Sequence, residues 1–157
     1  MKPLVFLDSN VFIWGYSRPE SNSAKILELM DEGRITVIVS EKVLEELRTY
    51  FINYYSKDVW SSVFSHLSTL VRIVYRDEIS GEKAKWKGRI KDKDLDHLAT
   101  TKMLHLKYIV SYDKDFKDFE EHLTPKGFIK HLGRKEGVTE YWEGTHQVRH
   151  YRLPPAL

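Results

Sequence analysis

Carboxylates placed where strands and helices are expected to end are the residues of this chain best suited to chemistry. Asp8 closes the apolar run Leu4-Val5-Phe6-Leu7, and Asp113 stands at the end of the run Tyr108-Ile109-Val110-Ser111. Glu46 and Asp94 lie on helical patterns between them. Carboxylates gathered at the ends of buried strands repel and raise one another's pKa unless a cation joins them. The chain has no cysteine, so thiolate ligands, disulfides and cysteine nucleophiles are excluded, and a metal would be held by oxygen or imidazole.

Each acid also has an ordinary alternative. Asp8 precedes Ser9-Asn10 and is placed to cap a helix beginning near Val11. On the helix beginning at Glu41, residues Val43, Leu47, Tyr50, Phe51 and Tyr54 define an apolar arc. Glu46 falls about 40° outside its edge, at the border of core and solvent, while Glu45 points nearly away. Such a border position suits a ligand or a surface salt bridge. Asp92, Asp94 and Asp96 alternate in KDKDLDHLATT, so a helix cannot aim all three at one ion, and the helical face does not choose between Asp94 and Asp96. Asp113 and Asp115 in SYDKDF are also turn formers.

The elements that must position these acids alternate in type. Strands are expected at Leu4 to Leu7, Ile35 to Val39, Val71 to Tyr75 and Tyr108 to Ser111, with a fifth at Phe128-Ile129. Helical spacing marks Glu20 to Glu32, ended by Gly33, a helix from Glu41 capped by Ser40, one from about Asp58, and one through Leu95 to Leu106. Strands separated by helices imply right-handed crossovers, hence an α/β fold of three α/β/α layers around a mostly parallel sheet. Ligands of such sheets lie beyond the carboxyl ends of the strands, where strand order reverses. The alternation runs over residues 1–133 and stops in the tail 134–157, whose aromatics, turns and Pro-Pro point to packing or partner binding. His146 and His150 in that tail are read as surface residues.

The 157 residues suit one domain, and 41% hydrophobic residues provide a core. Basic and acidic residues nearly balance, at 25 and 23, so net charge alone announces no nucleic-acid binder. Charge is nonetheless concentrated in KAKWKGRIKDK, from Lys83 to Lys93, with six basic residues, one tryptophan and one acid just before Asp94. Lys85, Lys87, Arg89 and Lys91 there can meet phosphates and Trp86 can stack on a base, or the stretch is a solvated loop. No charged-then-apolar leader opens the sequence and no apolar run nears the roughly 20 residues of a bilayer span, so a soluble cytoplasmic protein is expected.

Four segments, VFLDSNVFI, VSEKVLEEL, DLDHLATTKMLH and YIVSYDKDF, together resemble the PIN-domain family, metal-dependent ribonucleases that include VapC-type toxins and RNA-processing enzymes. The resemblance covers about residues 1–132 and follows the family order. It implies Asp8, Glu46, Asp94 and Asp113 as the acidic quartet, with Asn10 and Ser111 at the polar positions that orient the cluster or a water. It selects Glu46 by its distance from Ser40 and Asp94 by its distance from Ala99, while Asp92 and Asp96 stand close enough to shift the third position. Mg²⁺ or Mn²⁺ is the implied cofactor, in one-ion or two-ion form, and the implied reaction is RNA phosphodiester hydrolysis leaving a 5′-phosphate and a 3′-hydroxyl. Single-stranded RNA, an antitoxin or other protein, and a second copy are the implied partners; the aromatic helices around Tyr54, Tyr55 and Trp60 suit an interface for such a copy, or equally the core. The alternatives are a non-catalytic PIN-like RNA- or protein-binding module and a Mg-dependent phosphohydrolase, the latter disfavoured by Asn10 where a second Asp is wanted.

Overall fold

A computed structural model describes residues 2–134. The tail beyond Arg134, with its His146 and His150, lies outside the described residues. Five parallel strands, β1 (Leu4–Leu7), β2 (Thr36–Ser40), β3 (Val71–Val74), β4 (Tyr108–Val110) and β5 (His122–Leu123), form one sheet in the order β3-β2-β1-β4-β5. Seven helices cover it: α1 (Ser9–Ser17), α2 (Asn22–Asp31), α3 (Glu41–Tyr54), α4 (Lys57–Ser68), α5 (Ser80–Trp86), α6 (Asp92–Met103) and α7 (Pro125–His131). This is the α/β/α architecture expected from the alternation.

The central strands read as unbroken apolar runs because helices cover both faces of a parallel sheet. Val5, Phe6, Leu7, Val37, Ile38, Val39, Ile109 and Val110 are all buried. The edge strand β3 is wetter, with Arg72 exposed between half-buried neighbours. Helix starts follow local chemistry. Ser21, Ser40 and Thr124 accept from Ala24 N, Val43 N and Gly127 N at 3.0, 3.2 and 3.0 Å, each satisfying a first-turn donor. Gly33 follows α2 with φ +70°, the left-handed conformation that lets the chain turn toward β2. At Gly15, α1 and α2 approach so closely that a Cβ would stand 3.2 Å from the Ser23 carbonyl oxygen.

Two expectations are corrected. Phe128 and Ile129 belong to helix α7, with Thr124 as its cap and Pro125 in its first turn, and the fifth strand is the two-residue His122–Leu123. The first helix begins at Ser9 rather than near Val11, directly after Asp8. Among the described residues no helix is long and apolar enough to cross a membrane.

Candidate metal centre

Strand order reverses at β1, which pairs with β2 on one side and β4 on the other. The carboxyl ends of β1 and β4 therefore open side by side, and Asp8, Ser111 and Asp113 lie there. Asp8 is buried. One carboxylate oxygen, Oδ1, accepts from Ser9 N at 2.7 Å, so the capping role read from the sequence is real; Oδ2 accepts from the Ser111 hydroxyl at 2.7 Å. Ser111 Oγ in turn accepts from Asp113 N at 2.9 Å, joining the two strand ends through one oxygen. Asn10 completes this corner: its amide nitrogen lies 3.4 Å from Ser111 Oγ and 3.5 Å from Asp8 Oδ2, and its amide oxygen 3.4 Å from Tyr112 N.

Glu46 reaches the same corner from α3 through a residue that sequence reasoning missed. His97 on α6 is almost wholly buried, with Nε2 3.1 Å from Glu46 Oε1 and 3.5 Å from Asp8 Oδ1. Its Nδ1 lies 3.0 Å from Ser40 Oγ, the oxygen that also caps α3. Burial alone would lower the His97 pKa, but Asp8 and then Glu46 outweigh it and the net direction is up. Asp8 is raised, first by burial and further by Glu46, against the opposing pull of His97 and Ser111. The one sequence signal for His97 was its setting in LDHLATT, among leucines, alanine and threonines, and the structure buries α6 without a break from Asp94 to Thr101.

Asp94 sits in the first turn of α6 and is pushed up to about 7, by burial and then by Asp113, with Asp8 adding to the effect. Asp94, Asp113 and Asp115 present oxygens within 4.8 Å of one another, and Asp8, Glu46 and His97 form a second such group. Lys93 stands against the first group, its Nζ 3.0 Å from Asp94 Oδ2, 2.8 Å from Asp113 Oδ2 and 3.3 Å from Asp115 Oδ2. Helical direction separates the other acids of this segment. Asp96 is buried on another side of α6, 2.8 Å from Lys83 and 3.8 Å from Arg76, and Asp92 is exposed at the helix start. At the carboxyl ends of β1 and β4 the structure thus gathers two neighbouring groups, Asp8 with Glu46 and His97 and Asp94 with Asp113 and Asp115, tied by the Ser111 hydroxyl into one cleft-like corner, and leaves Asp92 and Asp96 outside both.

The basic stretch leads into this cleft. Lys91 pairs with Asp115 at 3.3 Å, while Lys87 is exposed and Lys85 lies 3.4 Å from Glu82. Trp86 is half-buried beside Phe119, its indole nitrogen donating to Glu82 at 2.9 Å, with the Arg89 guanidinium 4.6 Å and the Lys102 ammonium 4.9 Å from its ring. On the other flank a groove of about 510 Å³ starts at Ser9 and Glu46 and runs past Thr49 and Asn53 to Tyr50 and Tyr54. Tyr54 is exposed, whereas Tyr55 and Trp60 pack partly against the core.

The donor set fits a hard divalent cation. It consists of carboxylates and one imidazole, the carboxylates are buried enough that two have raised pKa values, and the structure already draws an ammonium against three of them. In parallel α/β sheets ligands bind beyond the carboxyl ends of the strands where the order reverses, and this cluster lies at that point. Residues 4–115 match the PIN domain family model, and the chain belongs to that family. No curated protein matches the sequence significantly. Several solved structures share the fold. VapBC2 from Rickettsia felis, bound to a DNA fragment from its promoter, is 16% identical with a TM-score of 0.59, over 77% of this chain and 96% of that one. FitAcB from Neisseria gonorrhoeae is 20% identical with a TM-score of 0.58, over 77% and 97%. VapC20 from Mycobacterium tuberculosis, a Sarcin-Ricin loop cleaving toxin, is 17% identical with a TM-score of 0.56, over 73% and 93%.

Proposed function

We propose that this protein is a Mg²⁺- or Mn²⁺-dependent endoribonuclease that hydrolyses single-stranded RNA, with an antitoxin as its protein partner. The observation that carries the reading is the convergence of Asp8 and Glu46 with Asp94, Asp113 and Asp115 at the switch point of the sheet. Membership of the PIN family adds to it, as do solved structures of the same fold described as a toxin-antitoxin complex from Klebsiella pneumoniae and as a cleaving toxin.

Asp8, Asp94 and Asp113 would hold the ion directly, with Glu46 as a further ligand or as the group that orients water. A bound divalent ion supplies a Lewis acid for phosphoryl oxygens and lowers the pKa of water. The chain's own residues do the rest. Ser111 and Asn10 fix the Asp8 carboxylate, and His97 turns the half-exposed Glu46 inward toward Asp8. Lys85, Lys87, Arg89 and Lys91 form a backbone track leading to the cleft, positioning rather than selecting the RNA. Trp86 offers its remaining exposed edge to a base, and the groove along α3 gives the strand an exit past Tyr54.

The test is incubation of single-stranded RNA with the protein and Mn²⁺ beside an Asp8→Asn variant. Cleavage with 5′-phosphate ends that requires metal and disappears in the variant is the expected result. Cleavage that survives the substitution, or none under any metal condition, refutes the reading; RNA binding without cleavage would favour the non-catalytic module.

A further inference from the structure

Three carboxylates crowd one side of the cleft, and the cation that meets them belongs to the protein itself. Lys93 Nζ lies 2.8, 3.0 and 3.3 Å from oxygens of Asp113, Asp94 and Asp115. Two of those acids are buried, and all three offer an oxygen within 4.8 Å of the others. A divalent ion would take the same oxygens. Ammonium and divalent ion cannot both sit at contact distance from them, because two like charges a few ångströms apart repel strongly in a partly buried site.

We propose that Lys93 is a built-in competitor for the metal: it neutralises the Asp94, Asp113 and Asp115 side of the cleft when no ion is bound and must be displaced for the ion to enter. The inference rests on the metal reading above. The local structure suits such an exchange. The Lys93 side chain is 50% exposed, on a flexible four-carbon stem, so its ammonium can swing into water. Its backbone is held separately, since Lys42 Nζ donates to the Lys93 carbonyl oxygen at 2.7 Å. The start of α6, and Asp94 with it, therefore keeps its place when the side chain leaves. Asp115 retains a second cation, Lys91, at 3.3 Å, so the exchange need not leave that carboxylate bare. The consequence is a weaker apparent affinity for the ion, because each binding event must first displace the ammonium.

The test is calorimetric titration of the full chain with Mn²⁺ at pH 8, comparing wild type with K93M, K93Q and K93R, together with melting curves in EDTA and in saturating Mn²⁺. K93M and K93Q should bind Mn²⁺ about tenfold more tightly, a difference of about 1.4 kcal/mol. K93R, which keeps the charge, should stay within about threefold of wild type. In EDTA the two neutral variants should melt below wild type, and saturating Mn²⁺ should close that gap. Mn²⁺ binding by wild type and the neutral variants with equal affinity overturns the competition while leaving the metal reading intact. No Mn²⁺ binding by any of them overturns both.

Discussion

Ser111→Ala isolates the hydroxyl that ties the ends of β1 and β4. Ser111 is fully buried, donates to Asp8 Oδ2 at 2.7 Å and accepts from Asp113 N at 2.9 Å. Removing a hydrogen bond to a buried carboxylate costs about 1.5–3 kcal/mol, and the Asp113 N–H left without its acceptor adds about 1–3 kcal/mol. Local relaxation makes these less than additive, so the expected loss is about 2–4 kcal/mol at pH 8 in EDTA, measured by urea unfolding. The sign of the pH dependence follows from Asp8, whose folded pKa is raised chiefly by burial. Such a group contributes stability that is complete below its unfolded pKa and is lost as pH rises through the folded pKa. Ser111 opposes that rise, so its removal lifts the Asp8 pKa further and deepens the loss on the alkaline side. On the acid side, with Asp8 protonated, the bond is one between neutral groups and the cost shrinks. In an Asp8→Asn background Ser111→Ala should cost about 1–2 kcal/mol less than in wild type. A loss below about 1 kcal/mol at pH 8, or strict additivity with Asp8→Asn, refutes the account of Ser111 as the tie.

Three further outcomes are expected. Asp94→Asn should lower RNA cleavage at least about a hundredfold, whereas Asp96→Asn should leave cleavage within about threefold and instead cost about 1–2 kcal/mol in urea unfolding, because it weakens a buried pair with the partly exposed Lys83 and Arg76; the reverse pattern would move the third acid to Asp96. Because Asp94 sits at about 7, Mn²⁺ affinity measured by calorimetry should fall between pH 8 and pH 6, by up to about tenfold per unit below pH 7 as protons compete with the ion, and a flat profile would contradict that placement. Gly15→Ala should destabilise by about 1–2 kcal/mol: the helix propensity gain of about 1 kcal/mol is smaller than the cost of placing a Cβ 3.2 Å from the Ser23 carbonyl oxygen and closer still to Leu27. A rise in unfolding midpoint would mean that the two helices shift apart at little cost.

The sheet was legible because four of its strands combine apolar runs with flanking helices, a pattern with few alternatives. Phe128-Ile129 misled because two buried apolar residues carry no period of their own; the decisive local signal was Thr124-Pro125, a cap followed by a residue suited to the first helical turn. His122–Leu123 is too short to show any period and is a strand only by pairing with Ile109 and Val110. At the site, strand ends exposed Asp8 and Asp113, but the placement of Asp94 against Asp96 depends on the rotation of α6, which tertiary packing sets. His97 was hidden for the same reason: its partners Ser40, Glu46 and Asp8 belong to distant segments and meet it only in the fold. Lys93 was read as one of six basic residues of a surface stretch, because nothing local distinguishes a lysine facing solvent from one turned onto Asp113.

The two halves of the cleft handle their charge differently, and the difference follows from chain topology. Asp8 is fixed at the central strand, where its neighbours are backbone and hydroxyl donors and a buried imidazole from the underside of α6. These groups cannot leave without disturbing the sheet or the start of α3, so that half is a rigid cradle. Asp94, Asp113 and Asp115 lie on the first turn of α6 and the turn after β4; Asp94 and Asp113 are as buried as Asp8, but their counter-charges are the lysines of an exposed stretch. Those ammonium groups can exchange with solvent ions or with a phosphate. In this sheet the reversal of order at β1 sets the division: Asp8 is anchored by the core strand, while Asp94, Asp113 and Asp115 arrive on a helix start and a turn whose lysine partners are free to change.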